Sequence, residues 1–295
     1  MTNLKEEVKK PSAGLFLIGC YLVLSCSIIT PEENNAVVDI PDAVFEKILI
    51  DLEIDSDNEI NQEVLREDAE EVTQLDLTQV NNNTKIRDLT GIEGFINLRK
   101  LVVAGHELES IDLSSNTELD TLYLQVNLLN SLDLSSNTKL MDVNVSLNEL
   151  HLIEGLDHLN SLKKLDASWN LIERFEIASS SVEVLFLNNN ELSDLDIRNA
   201  VSLSDLIATS NELEVINLST NRSLSTLVLS DNLIQSIDLK ENTELMYLYV
   251  SSNVLSALDV SNNQNLVDLR VQNNLNLQCI KVSSDQNILT VVKSD

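Results

Sequence analysis

Cysteine is nearly missing from this chain of 295 residues, which holds three. Cys20 and Cys26 fall in one apolar stretch near the start, leaving only Cys279 in the body. That excludes a disulfide framework and a cysteine-rich metal site, so stability has to come from packing. Glycine numbers six, and no glycine-rich phosphate loop is present. Positive charge is also scarce: 19 Lys and Arg face 48 Asp and Glu, for a net charge of -29. Nucleic-acid binding needs a basic footprint to displace counterions, so that function class is excluded. Adsorption to anionic lipid head groups is disfavoured on the same ground. Histidine occurs only as His106, His151 and His158. A catalytic base needs a positioned partner, and no such constellation can be read here. The chain reads as non-enzymatic, without cofactor or metal.

What is present is a repeat. From Leu98 onward a block of about 21 residues recurs, each copy written Leu-x-x-Leu-x-Leu-x-x-Asn. Regular copies start at Leu98, Leu119, Leu140, Leu162, Val182, Leu203, Leu224, Leu245 and Leu266. A unit of this kind buries its apolar side chains only against the next copy, so the pattern predicts a solenoid. The fourth and sixth positions, such as Leu185 and Leu187, are apolar and two apart, which predicts a short strand with one face inward. Nine such strands at about 4.8 Å spacing give a parallel sheet roughly 40 Å long. The ninth position is Asn127, Asn148, Asn170, Asn190, Asn211, Asn232, Asn253 and Asn274, with His106 in the first copy. An inward Asn can bond the backbone groups freed where the chain leaves the strand, so neighbouring copies should form a ladder, with His106 as its end member.

The second half of each block nearly repeats the first, as Leu-x-x-Leu-Asp-Leu-Ser-x-Asn, so the opposite side of the coil should also carry strand-like segments. The copy around residues 149–161 lacks the second Asn, and it and IRDLTGIEGFIN should each carry a short helical turn.

Residues 72–280 resemble a leucine-rich repeat array. LTGIEGFINL resembles the internalin-like branch, and the nested LDLSxNTxL blocks and the IPDAVFEKILIDLEID opening resemble bacterial surface leucine-rich repeat lipoproteins. The resemblance implies an α/β horseshoe fold, mostly β in this chain, with a parallel sheet on its concave face and a short helical N-terminal cap. It also implies a binding or adhesion module for a protein or glycan partner. A structural spacer without a ligand is the competing reading.

The first 25 residues read as a targeting segment: Lys5, Lys9 and Lys10, then an apolar stretch too short for a lasting membrane span. It ends in Val23-Leu24-Ser25-Cys26, which resembles the lipobox of bacterial lipoproteins and implies lipidation at Cys26. Leu17-Ile18-Gly19-Cys20 also fits, and an ordinary cleaved secretory signal is a further alternative. The expected location is the outer membrane, through the lipid alone. The expected organisation is signal 1–25, flexible tether 26–38, helical cap 39–71, array 72–280 and C-terminal cap or tail 281–295. In the cap, a helix begins at Asp39 or Pro41 with Val44, Phe45, Ile48, Leu49 and Leu52 on one face, and a second helix covers 61–72.

Two acidic features call for a reading. Asp55, Asp57 and Glu59, followed by Glu63, space carboxylates as calcium loops do, but the turn Gly is missing and the last Glu comes early. A solvated acidic turn is the reading preferred. The lane Asp112, Asp133, Glu176, Asp196, Asp238 and Asp259, interrupted by Asn217, reads as a hydrated face that blocks sheet-to-sheet aggregation.

The informative surface is the outward side of the main strands. Its central lane runs Val102, Tyr123, Asn144, Asp166, Phe186, Ile207, Val228, Tyr249 and Arg270, and its flanking lane includes Lys100, Asp142, Lys164, Tyr247 and Asp268. Phe45, Phe95 and Phe175 occupy core-like positions, whereas Tyr123, Trp169, Phe186, Tyr247 and Tyr249 should project from the sheet or its edge. Contiguous exposed apolar and aromatic residues usually mark binding. The candidate partner site is therefore Phe186, Ile207, Val228, Tyr247 and Tyr249, with Tyr123, Trp169 and Arg270 at its margins.

Overall fold

The computed structural model describes residues 37–78 and 84–293. The expected signal segment, with Cys20 and Cys26, and most of the expected tether lie outside the described residues. Eleven parallel strands, each of three residues, form the main sheet. It begins with Gln74–Asp76, passes through the nine expected strands from Lys100–Val102 to Asp268–Arg270, and ends with Thr290–Val292. Neighbours pair in uniform register, for example Leu185 opposite Leu206 and Leu206 opposite Leu227. The last pairing sets Leu269 opposite Val291, so the array does not stop at residue 280. All three apolar columns are buried: Leu98, Leu101 and Val103 of the first regular copy, and Leu266, Leu269 and Val271 of the last, are at most 2% exposed.

On the other side of the coil lie three short parallel pairs: Ser131–Asp133 with Leu152–Glu154, Arg174–Glu176 with Asp194–Asp196, and Ala257–Asp259 with Cys279–Lys281. Both expected helical turns are present, as 3-10 turns at Ile92–Gly94 and Leu156–His158. A glycine at positive φ precedes each, Gly91 at 102° and Gly155 at 79°. At Gly91 a Cβ would come within 2.5 Å of the Asp39 carbonyl oxygen, so glycine is required twice over there.

The cap departs from the sequence reading in three ways. Val37–Asp39 is a strand paired antiparallel with Glu63–Leu65, so the tether ends before residue 37. Helix α1 runs Ala43–Asp51 with Asp42 as its N-cap, not Asp39 or Pro41. The Asp42 Oδ1 accepts from the Val44 N–H at 2.8 Å, which settles the start. The second helix, α2, covers only Arg66–Glu71, because the first residues of the expected helix form the partner strand. Phe45 and Leu49 of α1 are buried, and Phe45 packs 6.2 Å from Phe95. Leu52 is 46% exposed, since it is the C-cap residue and has left the apolar face. The other Asp42 oxygen accepts from the Arg87 and Asp88 N–H groups, joining the cap to the first coil.

The Asn ladder is present in full. The Asn190 Nδ2 donates to the Ala167 carbonyl at 3.0 Å and the Leu187 carbonyl at 3.2 Å, and its Oδ1 accepts from the Ile172 N–H at 3.1 Å. One side chain thus ties its own coil to the one before. His106 ends the ladder by the same logic: its Nε2 lies 2.6 Å from the Leu77 carbonyl and its Nδ1 accepts from the Ile86 N–H at 3.1 Å. A second column repeats the device across the coil. The Asn242 Nδ2 donates to the Leu218 and Asn221 carbonyls, and Asn116, Asn137, Asn221 and Asn263 do likewise. This column is interrupted in the middle, where Leu159, Ser179 and Ala200 take its positions.

Two measurements test this arrangement. Asn190→Leu should destabilise by about 1–3 kcal/mol, because it strands the buried Ile172 N–H and takes one of two donors from the Ala167 and Leu187 carbonyls; a thermal melt equal to wild type would remove the ladder argument. His106 is held neutral, and burial pushes its pKa below the ordinary 6.5. A group whose folded pKa is depressed contributes stability that is present above its unfolded pKa and lost as pH falls through the folded value. Melts taken across mildly acid pH should therefore decline less steeply for His106→Gln than for wild type. Parallel curves would show that His106 is not the titrating group.

Candidate functional site

The outward side of the main sheet is built by the same alternation that fills the core. Phe186, Ile207, Val228 and Tyr249 stand directly opposite one another on four successive strands. Tyr247 flanks Tyr249 and is 38% exposed, while the other four are half-buried. Arg270 continues the lane as the partner of Tyr249. Tyr123 does not join this patch, because Asn144 and Asp166 occupy the two strands between it and Phe186. Val102, expected to face outward, is only 6% exposed.

Three aromatic rings are held by charges on adjacent strands, from Lys100 and Lys164 of the flanking lane and from Arg270 of the central lane. The Lys100 ammonium lies 5.9 Å from the Tyr123 ring centroid, Lys164 5.8 Å from Phe186, and the Arg270 guanidinium 4.2 Å from Tyr249. Each is a cation on an aromatic face. The Tyr123 hydroxyl donates to Asp142 at 2.7 Å and the Tyr249 hydroxyl to Asp268 at 2.9 Å. The bond to Asp142 is the main cause that pushes the Tyr123 pKa up to about 12. Burial and Asp268 raise that of Tyr249. The two lanes interlock, so the rings are fixed before any partner arrives.

Trp169 lies elsewhere, and its position exposes a column that the sequence reading missed. The residue before every ladder Asn adopts a left-handed backbone, with φ between 52° and 61° from Val126 to Asn273. This turn directs the ladder Asn inward. Asn189, Ser210, Asp231, Ser252 and Asn273 occupy five of the positions, and Gly105 the first. Val126, Leu147 and Trp169 occupy the other three on successive coils, and they are 47%, 48% and 56% exposed. A bulky apolar residue is costly in this conformation, on the order of 1–3 kcal/mol, and is only half-buried here. The signal was available in the sequence as the residue preceding each ladder Asn.

The acidic lane has a local role that the sequence reading did not give it. Asp112, Asp133, Asp196, Asp238 and Asp259 each accept the backbone N–H two residues on, and Asn217 does the same. These are side-chain-capped turns. Hydrogen bonds from Arg198 and Lys281 are the main causes that hold Asp196 and Asp259 down to about 2. The lane is therefore largely committed to its own backbone. His151 and His158 are exposed on the irregular copy, and His106 is a backbone-bonded ladder member.

No family model and no curated protein matches the chain. Among solved structures, the leucine-rich repeat domain of APL1B is similar at 22% identity, covering 74% of this chain and 74% of its own, with a TM-score of 0.63. YopM from Yersinia enterocolitica is similar at 23% identity over 76% of this chain, with a TM-score of 0.58. The functional domain of InlJ from Listeria monocytogenes matches at 22% identity over 82% of this chain, with a TM-score of 0.47. The chain spans 63% of the InlJ chain and 49% of the YopM chain. The fold is that of a leucine-rich repeat solenoid.

Proposed function

We propose that this chain is a binding protein of the cell surface, held by a lipid on Cys26, that recognises a protein or glycan through its main sheet. The observation that carries the reading is the four-strand run of Phe186, Ile207, Val228 and Tyr249. Its side chains do nothing for the core, and its rings are pre-positioned by Lys164, Arg270 and Asp268. The three strained apolar residues Val126, Leu147 and Trp169 supply a second contact at the strand exit. A spacer without a ligand has no use for side chains that lower its own stability. Binding also accounts for the chain better than catalysis, because the one buried imidazole is taken up by the backbone.

The binding test begins with capture of a partner from host and bacterial surface extracts, followed by titration with the isolated partner. Phe186→Ala with Tyr249→Ala should weaken that affinity more than about thirtyfold, since buried aromatic anchors contribute ~2 kcal/mol or more each. Equal affinity of this double variant would show that the sheet face is the wrong surface. Leu147→Asn offers a separate check. Asn tolerates the left-handed backbone, so the melt should stay level or rise by about 1 kcal/mol while partner affinity falls. A variant that loses stability and keeps its affinity would return Leu147 to a purely structural role.

The anchor has its own test. Cys26→Ser should move the protein from the membrane fraction to the soluble fraction. Unchanged fractionation, reversed only by Cys20→Ser, would move the lipid to Cys20.

A further inference from the structure

The acidic loop of the N-terminal cap was expected to be solvated, and Asp55 is not. It is 0% exposed, and neither carboxylate oxygen has a hydrogen-bond partner. Glu46 of α1 is likewise 0% exposed. Its Oε1 accepts from the N–H groups of Asn61 at 2.7 Å, Gln62 at 2.6 Å and Glu63 at 3.3 Å, which wraps the loop around it. Its Oε2 is buried without a partner. Asp57 stands close enough to Asp55 that its charge, with that of Glu46, adds to burial in raising the Asp55 pKa to about 6. Three buried carboxylate oxygens thus make no well-formed hydrogen bond, and the nearby Asp57 N–H offsets only part of the cost of burying Asp55. Beside them, Asp57 accepts from the Glu59 N–H and the Asn61 amide, and Asp68 of α2 accepts from the Ser56 N–H. An ionised carboxyl in such a place is costly unless a cation or a proton compensates it.

We infer that the Asp55–Glu63 loop, closed from α1 by Glu46, binds a calcium ion through Asp55. The donors are all oxygens, which selects a hard cation and excludes the nitrogen and sulfur chemistry of zinc or copper. Among the described residues no three acidic, His or Cys side chains form a ready cage. The ion therefore completes its six to eight ligands with backbone carbonyls and water, which calcium accepts and the smaller, strictly octahedral magnesium accepts poorly. Asp55 and Asp57 stand at alternate positions, as the first two ligands of calcium loops do, and Glu46 adds negative charge beside them without serving as a third ligand. The site lies at the joint between cap and array, since α1 also carries Phe45 against Phe95 and its N-cap Asp42 holds Arg87 and Asp88. Occupancy then stiffens the cap that covers the first coil.

The test uses the full chain, stripped with EGTA and titrated near neutral pH with calcium chloride, by calorimetry and by thermal melting. One saturable calcium per chain is expected, with a dissociation constant on the order of 10⁻⁵–10⁻³ M. The melting temperature should rise with calcium and much less with magnesium. Asp55→Asn should lower calcium affinity at least tenfold and abolish the calcium-dependent rise, while melting at or above the stripped wild type because a buried charge is gone. Asp57→Asn, changed at an exposed position, gives the same readout if the first variant does not fold. Identical melts in EGTA and calcium would overturn the inference and leave Asp55 as a buried acid that holds a proton. So would calcium that binds at many weak sites and is unaffected by either variant, since that is adsorption to the acidic surface.

Discussion

Each coil of this solenoid leaves the strand through a left-handed residue, and the backbone groups freed there are buried. The ladder Asn is what makes that geometry tolerable. Its amide reaches the carbonyls of its own coil and of the coil before, and its oxygen takes an N–H that no strand partner serves, as Asn211 does for Leu192. Every other feature of the array depends on this, because the apolar columns can stack only while the turns between them stay in register. The second Asn column is the weaker of the two. Its amides are bonded, but among the described residues the oxygens of Asn116, Asn137, Asn221, Asn242 and Asn263 accept nothing. It can therefore be interrupted for three coils, whereas the first column runs without a gap from His106 to Asn274.

The ends of the ladders show how the same chemistry adapts where a neighbouring coil is missing or irregular. His106 replaces Asn where the preceding coil is not a regular copy, and its ring spans from Ile86 to Leu77. Gln286 does the corresponding work at the far end of the second column, donating to the Val260 and Asn263 carbonyls with a side chain one methylene longer than Asn. Both substitutions keep a donor aimed at the buried carbonyls of the adjacent coil, and each extends the reach. A solenoid has to finish its open ends, and here it does so with side-chain length as well as with an N-terminal cap.

Much of the fold could be read directly, because the alternation of Leu185 and Leu187 and the recurring Asn are properties of one chain segment. The missing second Asn around residues 149–161, and the matching style of IRDLTGIEGFIN, announced the two helical turns in the same way. What could not be read were roles that depend on a second segment. Glu63–Leu65 became a strand because Val37–Asp39 lies beside it, against a local pattern that suggested helix. Asp55 is buried because α1 brings Glu46 over its loop. Of the proposed site, the run from Phe186 to Tyr249 followed from position in the repeat, and the separation of Tyr123 follows from Asn144 and Asp166 in the same lane. Leu147 and Val126 were overlooked because the sign of φ is carried by their place before the ladder Asn and not by side-chain type.

The two sides of the coil spend their polar side chains differently, and this decides where recognition belongs. On the side opposite the main sheet, the aspartates are consumed in capping their own turns, and the cations beside them, Arg198 and Lys281, are paired to those same carboxylates. Replacing such residues to suit a partner would cost the turn. On the main sheet the strands are held by backbone pairing and by inward side chains alone. Outward positions are free to vary without loss of fold, and where Lys164 or Arg270 does interact, it is with the ring of a surface aromatic and, for Arg270, with the outward carboxylate of Asp268. A surface whose interactions are almost all among its own outward side chains is one that selection can tune independently of the scaffold. The strained column before the ladder Asn carries the point further, because at Leu147 and Trp169 the chain accepts a conformational cost that an Asn or Gly would have avoided.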